Sequence, residues 1–239
     1  MTPSLRAAFS SPDSKSRYVR RLFSTIADRY DLITVLLSYG QDRRWKRRVV
    51  ELSGAGPDTR ALDLACGTGD IAFAVADRGA RVVGLDVTHR MVQLARLKAP
   101  VSGAAVRFVT GDMMALPFRD EEFDLVTTGY GIRNVPDITG AIAEMRRVLK
   151  PGGTLLSLDF NRPLNPLVRG VYLTYLTAVG STLGFVLHRD PDTYRYIPES
   201  IRRYPGAVEV NAMIRREGFS SSEHLPVLGG LMAIHHAKK

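Results

Sequence analysis

Ala61-Leu62-Asp63-Leu64-Ala65-Cys66-Gly67-Thr68-Gly69-Asp70 is an apolar run that breaks at two glycines and reopens as a helical pattern. It reads as a buried strand, a glycine turn and the first turn of a helix. Glycines at 67 and 69 let the backbone turn tightly and approach a ligand with no Cβ in the way. The free N–H groups of the new helix then face that ligand.

Working outward, short apolar runs alternate with helical stretches from residue 60 onward, the pattern of βα units around a parallel sheet. Strands are predicted at 60–64, 81–86, 106–110, 123–128 and 154–160, with helices at 70–78, 89–98 and 138–149. Lys150-Pro151-Gly152-Gly153 ends the last of these helices. A helix at 207–217 precedes two strands, near 220–226 and 231–236, that pair as a hairpin. Before the first strand, Phe23, Ile26, Ala27, Tyr30 and Ile33 recur at helical spacing, and the basic cluster Arg43, Arg44, Lys46, Arg47 and Arg48 follows. The expected organisation is a disordered tail over 1–16 and a single domain over 17–239. That domain has a helical cap at 17–55 and a substrate-side insertion at 161–205, with two helical pieces before residue 192.

The second strand ends in Asp86, seventeen residues after Gly69, where a carboxylate can accept both hydroxyls of a ribose. Gly67-Thr68-Gly69-Asp70-Ile71-Ala72 also fits the glycine fingerprint of NAD sites, so a dehydrogenase competes at this point. Three features weigh against it. Asp63 sits at the end of the first strand, where a ligand with a cationic amino group has use for an acid and a pyrophosphate does not. Gly111-Asp112 follows the third strand, where an acid can accept from an adenine amino group. The chain closes with a hairpin, not with a second βαβαβ half.

The composition fits this domain. The 239 residues are 45% hydrophobic and 24% charged, enough for a folded core and too apolar for a disordered chain. Cys66 stands alone, so no disulfide framework and no multi-cysteine metal site can form within one chain, and no metal site is expected. A reducing, cytoplasmic location fits. The net charge of +9 favours an anionic partner: nucleic acid, an acidic substrate or an anionic membrane face. Residues 168–187 approach the length of a membrane span but contain Arg169, three glycines and several threonines, so they are read as amphipathic or semi-buried.

The chain resembles the ubiquinone/menaquinone biosynthesis C-methyltransferase family over about residues 19–239. Phe23-Ser-Thr-Ile-Ala-Asp-Arg-Tyr-Asp31, Leu37-Ser-Tyr-Gly40 with Trp45, the glycine segment, and Gly111-Asp112 with Ala115-Leu-Pro-Phe118 carry the likeness. Gly131-Ile-Arg-Asn-Val135, Met145-Arg-Arg-Val-Leu-Lys-Pro-Gly-Gly153 and Tyr194-Arg-Tyr-Ile-Pro-Glu-Ser200 complete it. The resemblance implies a class I methyltransferase fold, a Rossmann-like seven-stranded α/β sheet with helices on both faces. It implies S-adenosylmethionine as cofactor and a prenylated quinol as methyl acceptor, either demethylmenaquinol or a 2-polyprenyl-6-methoxy-benzoquinol. By position it makes Thr68 and Asp86 cofactor contacts, and Asp112 and Met113 the pair that brackets the adenine. Gly129 falls where some members have a cofactor-contacting serine. Asn161 replaces a serine, and His188-Arg189-Asp190-Pro191 replaces a small turn; both changes bear on the substrate side.

Arg133 and Asn134 follow the fourth strand, at the rim where the methyl group is transferred, and are the candidate catalytic residues. Arg133 can lower the pKa of a phenol but cannot act as a base. Tyr130, Tyr194 and Tyr196 are candidates for a substrate wall, and His188, His235 and His236 are possible bases. The expected location is cytoplasmic, with peripheral contact to the inner membrane face through residues 164–187 and the basic clusters. A methyltransferase acting on another phenolic or isoprenoid acceptor is the alternative. A specific nucleic-acid partner is not expected, because the usual RNA-binding motifs are missing from the sequence.

Overall fold

The computed structural model describes residues 5, 9–38, 40–102 and 106–239. Strands β1 (Arg60–Leu64), β2 (Arg81–Asp86), β3 (Val106–Thr110), β4 (Phe123–Gly129), β5 (Leu149–Phe160), β6 (Ser221–Val227) and β7 (Met232–Lys238) form one sheet in the order β3-β2-β1-β4-β5-β7-β6. The first five pair in parallel; β7 runs antiparallel to both β5 and β6. The order reverses between β1 and β4, so the carboxyl ends of these strands open a crevice at the switch point.

The sheet is covered on both faces because side chains alternate along each strand. Leu62, Leu64 and Val126 join Ile142, Met145, Val210 and Ile214 in one core. The latter four lie on α6 (Ile138–Val148) and α9 (Ala207–Arg216). Ala61, Val82 and Leu125 point the other way, against Trp45, Val49, Ile71, Val75 and Val92. Those residues belong to α3 (Asp42–Ser53), α4 (Asp70–Ala76) and α5 (His89–Ser102).

Two expectations about organisation need correction. Residues 12–16, assigned to a disordered tail, form the first turn of α1 (Pro12–Ile26). Ser11 caps that helix by accepting from Ser14 N–H at 3.1 Å, and Pro12 sits where its missing N–H costs nothing. Residues 1–4 and 6–8 of that tail lie outside the described residues. Likewise, residues 166–188 form one continuous helix, α7 (Pro166–His188), not two pieces. Asn165 caps it through Leu167 and Val168 N–H. Its glycines do not break it. Gly180 and Gly184 instead let the returning chain pass close: a Cβ at 184 would stand 2.5 Å from the Asp190 carbonyl.

The cap consists of α1, a 3-10 turn at Ala27–Arg29, α2 (Tyr30–Leu37) and α3. It lies over the crevice and is tied down by polar contacts. Asp31 accepts from Thr68 at 2.6 Å and from Lys98 at 2.5 Å, Asp28 pairs with Arg90, and Lys15 donates to the carbonyls of Arg133 and Val135. α8 (Tyr196–Arg203) completes the enclosure.

Candidate active site

Two adjoining spaces that share lining residues lie at the carboxyl ends of β1 and β4. The first is the crevice around the glycine turn. One part, of about 20 Å³, is lined by Asp63, Thr68, Asp70 and Gly129 together with Tyr30 and Lys46. The other, of about 80 Å³, is lined by Asp112, Met113, Gly129 and Arg20. The second space is a cavity of about 370 Å³ between the cap, α7 and α8. Arg133, Asn134, Tyr130, Tyr194 and Tyr196 all line it. Tyr30 and Tyr130 border all three, and Phe23 and Asn134 border the cavity and the larger part of the crevice. The residues expected to be catalytic and substrate-facing therefore meet those expected to hold the cofactor.

In the crevice, Asp63 is buried; its Oδ1 accepts from Thr127 at 2.8 Å and its Oδ2 has no partner in hydrogen-bond geometry among the described residues. Burial pushes its carboxyl up to about 7 against the Thr127 hydrogen bond. An unpaired buried carboxylate oxygen is costly, and a ligand with an ammonium group would relieve that cost. Lys46, from the helix carrying the basic cluster, is buried and bonds Asp42 at 2.6 Å and Asp70 at 2.8 Å. Burial alone would lower its pKa, but Asp70 and Asp42 outweigh that and hold it charged. Asp42 in turn accepts from the Tyr130 hydroxyl at 2.6 Å.

Four predicted contacts differ from expectation. Asp86 uses its carboxylate on Gly67 N–H (2.9 Å) and Thr88 N–H (2.8 Å), so it braces the glycine turn, between Leu85 and Val87, which line the crevice. Gly67, whose N–H is held by Asp86, is not among the residues that border the crevice, nor is Gly69. A Cβ there would meet Phe73 and Phe108 at 2.7 and 2.9 Å, so its glycine permits close packing of helix on sheet. Asp112 does line the crevice, but Arg20 of the cap covers it at 2.8 Å. Ala65 and Tyr130, at the ends of β1 and β4, both adopt left-handed backbone conformations (φ 50° and 62°). Such strain concentrates at functional sites.

In the cavity, Arg133 is buried and ion-paired with Asp159 on β5. Its Nε donates to Ser200 at 2.8 Å, and the guanidinium stacks 4.8 Å from the Phe160 ring. Asn134 donates to the Tyr130 carbonyl at 2.7 Å and accepts from the Tyr196 hydroxyl at 3.1 Å. Tyr194 bonds His188 at 2.8 Å. Arg133 is the single charged side chain among the described residues lining the cavity. His235 is buried elsewhere, against the Ala207 carbonyl, and burial lowers its pKa to about 4; His236 faces Glu223. Neither lines the cavity. Asn161 also lies apart from it, clasping Gly230 and capping α9 through Ala207 N–H.

Sequence reasoning passed over Lys46, Asp42 and Asp159 as site residues, and placed Tyr30 and Asp31 only within a helical segment that carries the family likeness. Helical periodicity would have separated Lys46 from its cluster. Asp42, Trp45, Lys46, Val49 and Val50 share the buried face, while Arg43, Arg44, Arg47 and Arg48 lie off it.

A parallel switch-point sheet closed by an antiparallel pair, with an acid-lined crevice opening into an aromatic cavity, defines a class I, S-adenosylmethionine-dependent methyltransferase. The antiparallel closure leaves no second βαβαβ half, so the dehydrogenase reading falls. The chain belongs to the ubiE/COQ5 methyltransferase family, whose model matches residues 11–239. It is 44% identical over 216 residues to the demethylmenaquinone methyltransferase of Thermus thermophilus, covering 90% of this chain and 98% of that one. It is 37% identical over 233 residues to a ubiquinone/menaquinone biosynthesis C-methyltransferase UbiE from a Shewanella strain, covering 95% and 92%. Among solved structures, a Thermotoga maritima SAM-dependent methyltransferase, described as a possible histamine N-methyltransferase, shares the fold. Its TM-score is 0.65 at 19% identity, over 92% of this chain and 98% of that one. A SAM-dependent methyltransferase from Aquifex aeolicus does so with a TM-score of 0.59 at 16% identity, over 81% and 88%.

Proposed function

We propose that the protein transfers the methyl group of S-adenosylmethionine to a ring carbon of a prenylated hydroquinone, either demethylmenaquinol or a 2-polyprenyl-6-methoxy-benzoquinol. The observation that carries the acceptor is the cavity. At about 370 Å³ it falls within the roughly 300–1,000 Å³ of small-molecule sites. Its walls are mostly aromatic and aliphatic, its described lining residues include one cation, and it shares Tyr30 and Tyr130 with the crevice. The relatives named for quinone biosynthesis support the same acceptor.

The crevice residues fit the cofactor. The unpaired Asp63 Oδ2 takes an ammonium, Asp112 and Met113 take the adenine end, and Gly129 leaves room at the strand end. When bound, S-adenosylmethionine supplies an electrophilic methyl group on a sulfonium centre.

The chain's own residues then do three things. The tyrosine and phenylalanine walls hold the flat ring and exclude water, which strengthens every charge interaction inside. Asn134, fixed from both sides, orients a quinol oxygen. Arg133 stabilises that oxygen as a phenolate and lowers its pKa, which raises electron density at the adjacent ring carbon. The described lining residues include no Asp, Glu or His, so a single water admitted beside Arg133 takes the phenolic proton, and the ring proton on the methylated carbon is lost in turn as aromaticity returns.

The prenyl tail is drawn from a bilayer. Leu164, Leu167, Val168, Val171, Phe185 and Val186 are exposed at the start and along α7, which is itself long and apolar enough to cross a membrane by length and composition. Tyr172 and Leu176 on the same helix line the cavity. The protein thus works from the cytoplasmic face of a membrane with α7 against it, and its excess positive charge favours anionic lipid.

The test is transfer from labelled S-adenosylmethionine to each quinol, with and without the tail. Label in the prenylated quinols, with kcat/KM falling when the tail is removed, supports the reading. Cofactor binding with no label in either ring overturns the acceptor.

A further inference from the structure

Lys46 is a buried ammonium in the narrow end of the crevice, and the mechanism above gives it no task. It lies among three acids: Asp42 and Asp70, which it bonds, and Asp63, which shares the same lining with an unpaired oxygen. Lys46 neutralises buried Asp42, and Asp70 has a second cation within reach, since Lys98, bonded to Asp31 at 2.5 Å, stands 3.9 Å from its other oxygen. The end of the crevice therefore presents, side by side, one cation and one carboxyl group with an unsatisfied oxygen that ionises when an ammonium reaches it. That pattern complements a zwitterion. An α-amino acid end carries an ammonium for Asp63 and a carboxylate that needs a fixed positive partner. Asp42, Lys46's other partner, also holds the Tyr130 hydroxyl, so the same cation is linked to the wall shared with the acceptor cavity.

We infer that Lys46 binds the carboxylate of the cofactor's amino-acid end and selects for ligands that carry one. This rests on the cofactor assigned under Proposed function. A ligand carboxylate on Lys46 takes the place of the Asp70 contact, and Lys98 retains Asp70. A single charge-assisted hydrogen bond of this kind corresponds to about ten- to hundred-fold in affinity.

The experiment is calorimetric titration of the full chain with three ligands. S-adenosylmethionine carries both charged groups, decarboxylated S-adenosylmethionine lacks only the carboxylate, and methylthioadenosine lacks the whole amino-acid end. The wild-type protein is expected to bind the first about ten- to hundred-fold more tightly than the second. In Lys46→Met that ratio collapses toward one while methylthioadenosine binds unchanged, and Lys46→Arg restores most of it. If Lys46→Met weakens all three ligands alike, or leaves the ratio intact, Lys46 is structural and the inference is overturned. Should the single variant not fold, Asp42→Asn/Lys46→Met removes one charge of each sign and carries the same comparison. Failure of the wild-type protein to bind any of the three overturns the cofactor reading itself, and this inference with it.

Discussion

Removing the Arg133 guanidinium should damage the protein in two ways that can be separated. Arg133 and Asp159 form an ion pair whose side chains are 4% and 1% exposed. Arg133→Ala strands the Asp159 carboxylate in the interior, where breaking such a pair costs about 3–5 kcal/mol. Asp159 keeps its bonds from the backbone N–H groups of Arg133 and Phe160, which argues for the lower end. A domain of ordinary stability, about 5–15 kcal/mol, survives that loss folded but with a lower urea midpoint. Arg133→Met/Asp159→Asn deletes both charges and keeps most of the volume, and replacing a buried pair by neutral groups is often close to neutral. Stability should therefore return in the double variant. Activity should not, because the phenolate has lost its fixed cation, which is worth about 10²–10³ in kcat. Urea unfolding and single-turnover methyl transfer on the same preparations read the two effects. If the double variant regains activity along with stability, Arg133 only props up the cavity wall and the catalytic role is refuted.

Three further outcomes follow from the geometry. Because no imidazole or carboxylate is among the described residues lining the cavity, the rising limb of the pH–rate profile should track the acceptor's phenol and shift when ring substituents change it; a limb fixed near about 6.5 for every acceptor would point to a histidine. Asp63 is held near 7 by burial, against an ordinary 3.8, so the folded, ligand-free protein favours its protonated form and loses stability as pH rises from about 4 through 7. Pairing with an ammonium requires the ionised form. S-adenosylmethionine affinity should therefore climb up to about pH 7 with proton release, visible calorimetrically in buffers of different ionisation enthalpy and absent in Asp63→Asn; no buffer dependence near pH 6 would contradict it. Glutamates in place of Leu167, Val171 and Phe185, all more than 60% exposed, should abolish sedimentation with anionic vesicles and leave thermal stability nearly unchanged; retained sedimentation would remove α7 from the membrane contact.

The sheet was legible because its strands are short, apolar and punctuated: β1, β2 and β3 fall where period and glycine breaks put them. Lys150-Pro-Gly-Gly shows the limit. It does end α6, but the chain passes straight into β5, with Gly152 N–H bonded to the Lys239 carbonyl across the sheet. Long-range closure of that kind leaves no local signal. The site was legible where a residue type is unusual for its place, as with an acid at the end of a buried strand or an arginine and asparagine at a strand mouth. It was illegible where function depends on what the cap brings down from a distance. Tyr30 looks like core, Lys46 like one more surface cation, and Asp159 like a strand end until β5 lies beside the turn holding Arg133. Asp86 shows the converse: a residue at the ligand end of its strand that first braces the loop the ligand needs.

The decisive measurement is the position of the transferred methyl group. After incubation with isotopically labelled S-adenosylmethionine and reduced prenylated quinol, carbon NMR of the product should place the label on a ring carbon adjacent to a hydroxyl-bearing carbon. Label on a hydroxyl oxygen would mean that the cavity presents the acceptor by its oxygen, and would contradict a phenolate held by Arg133 that directs its electron density onto the ring.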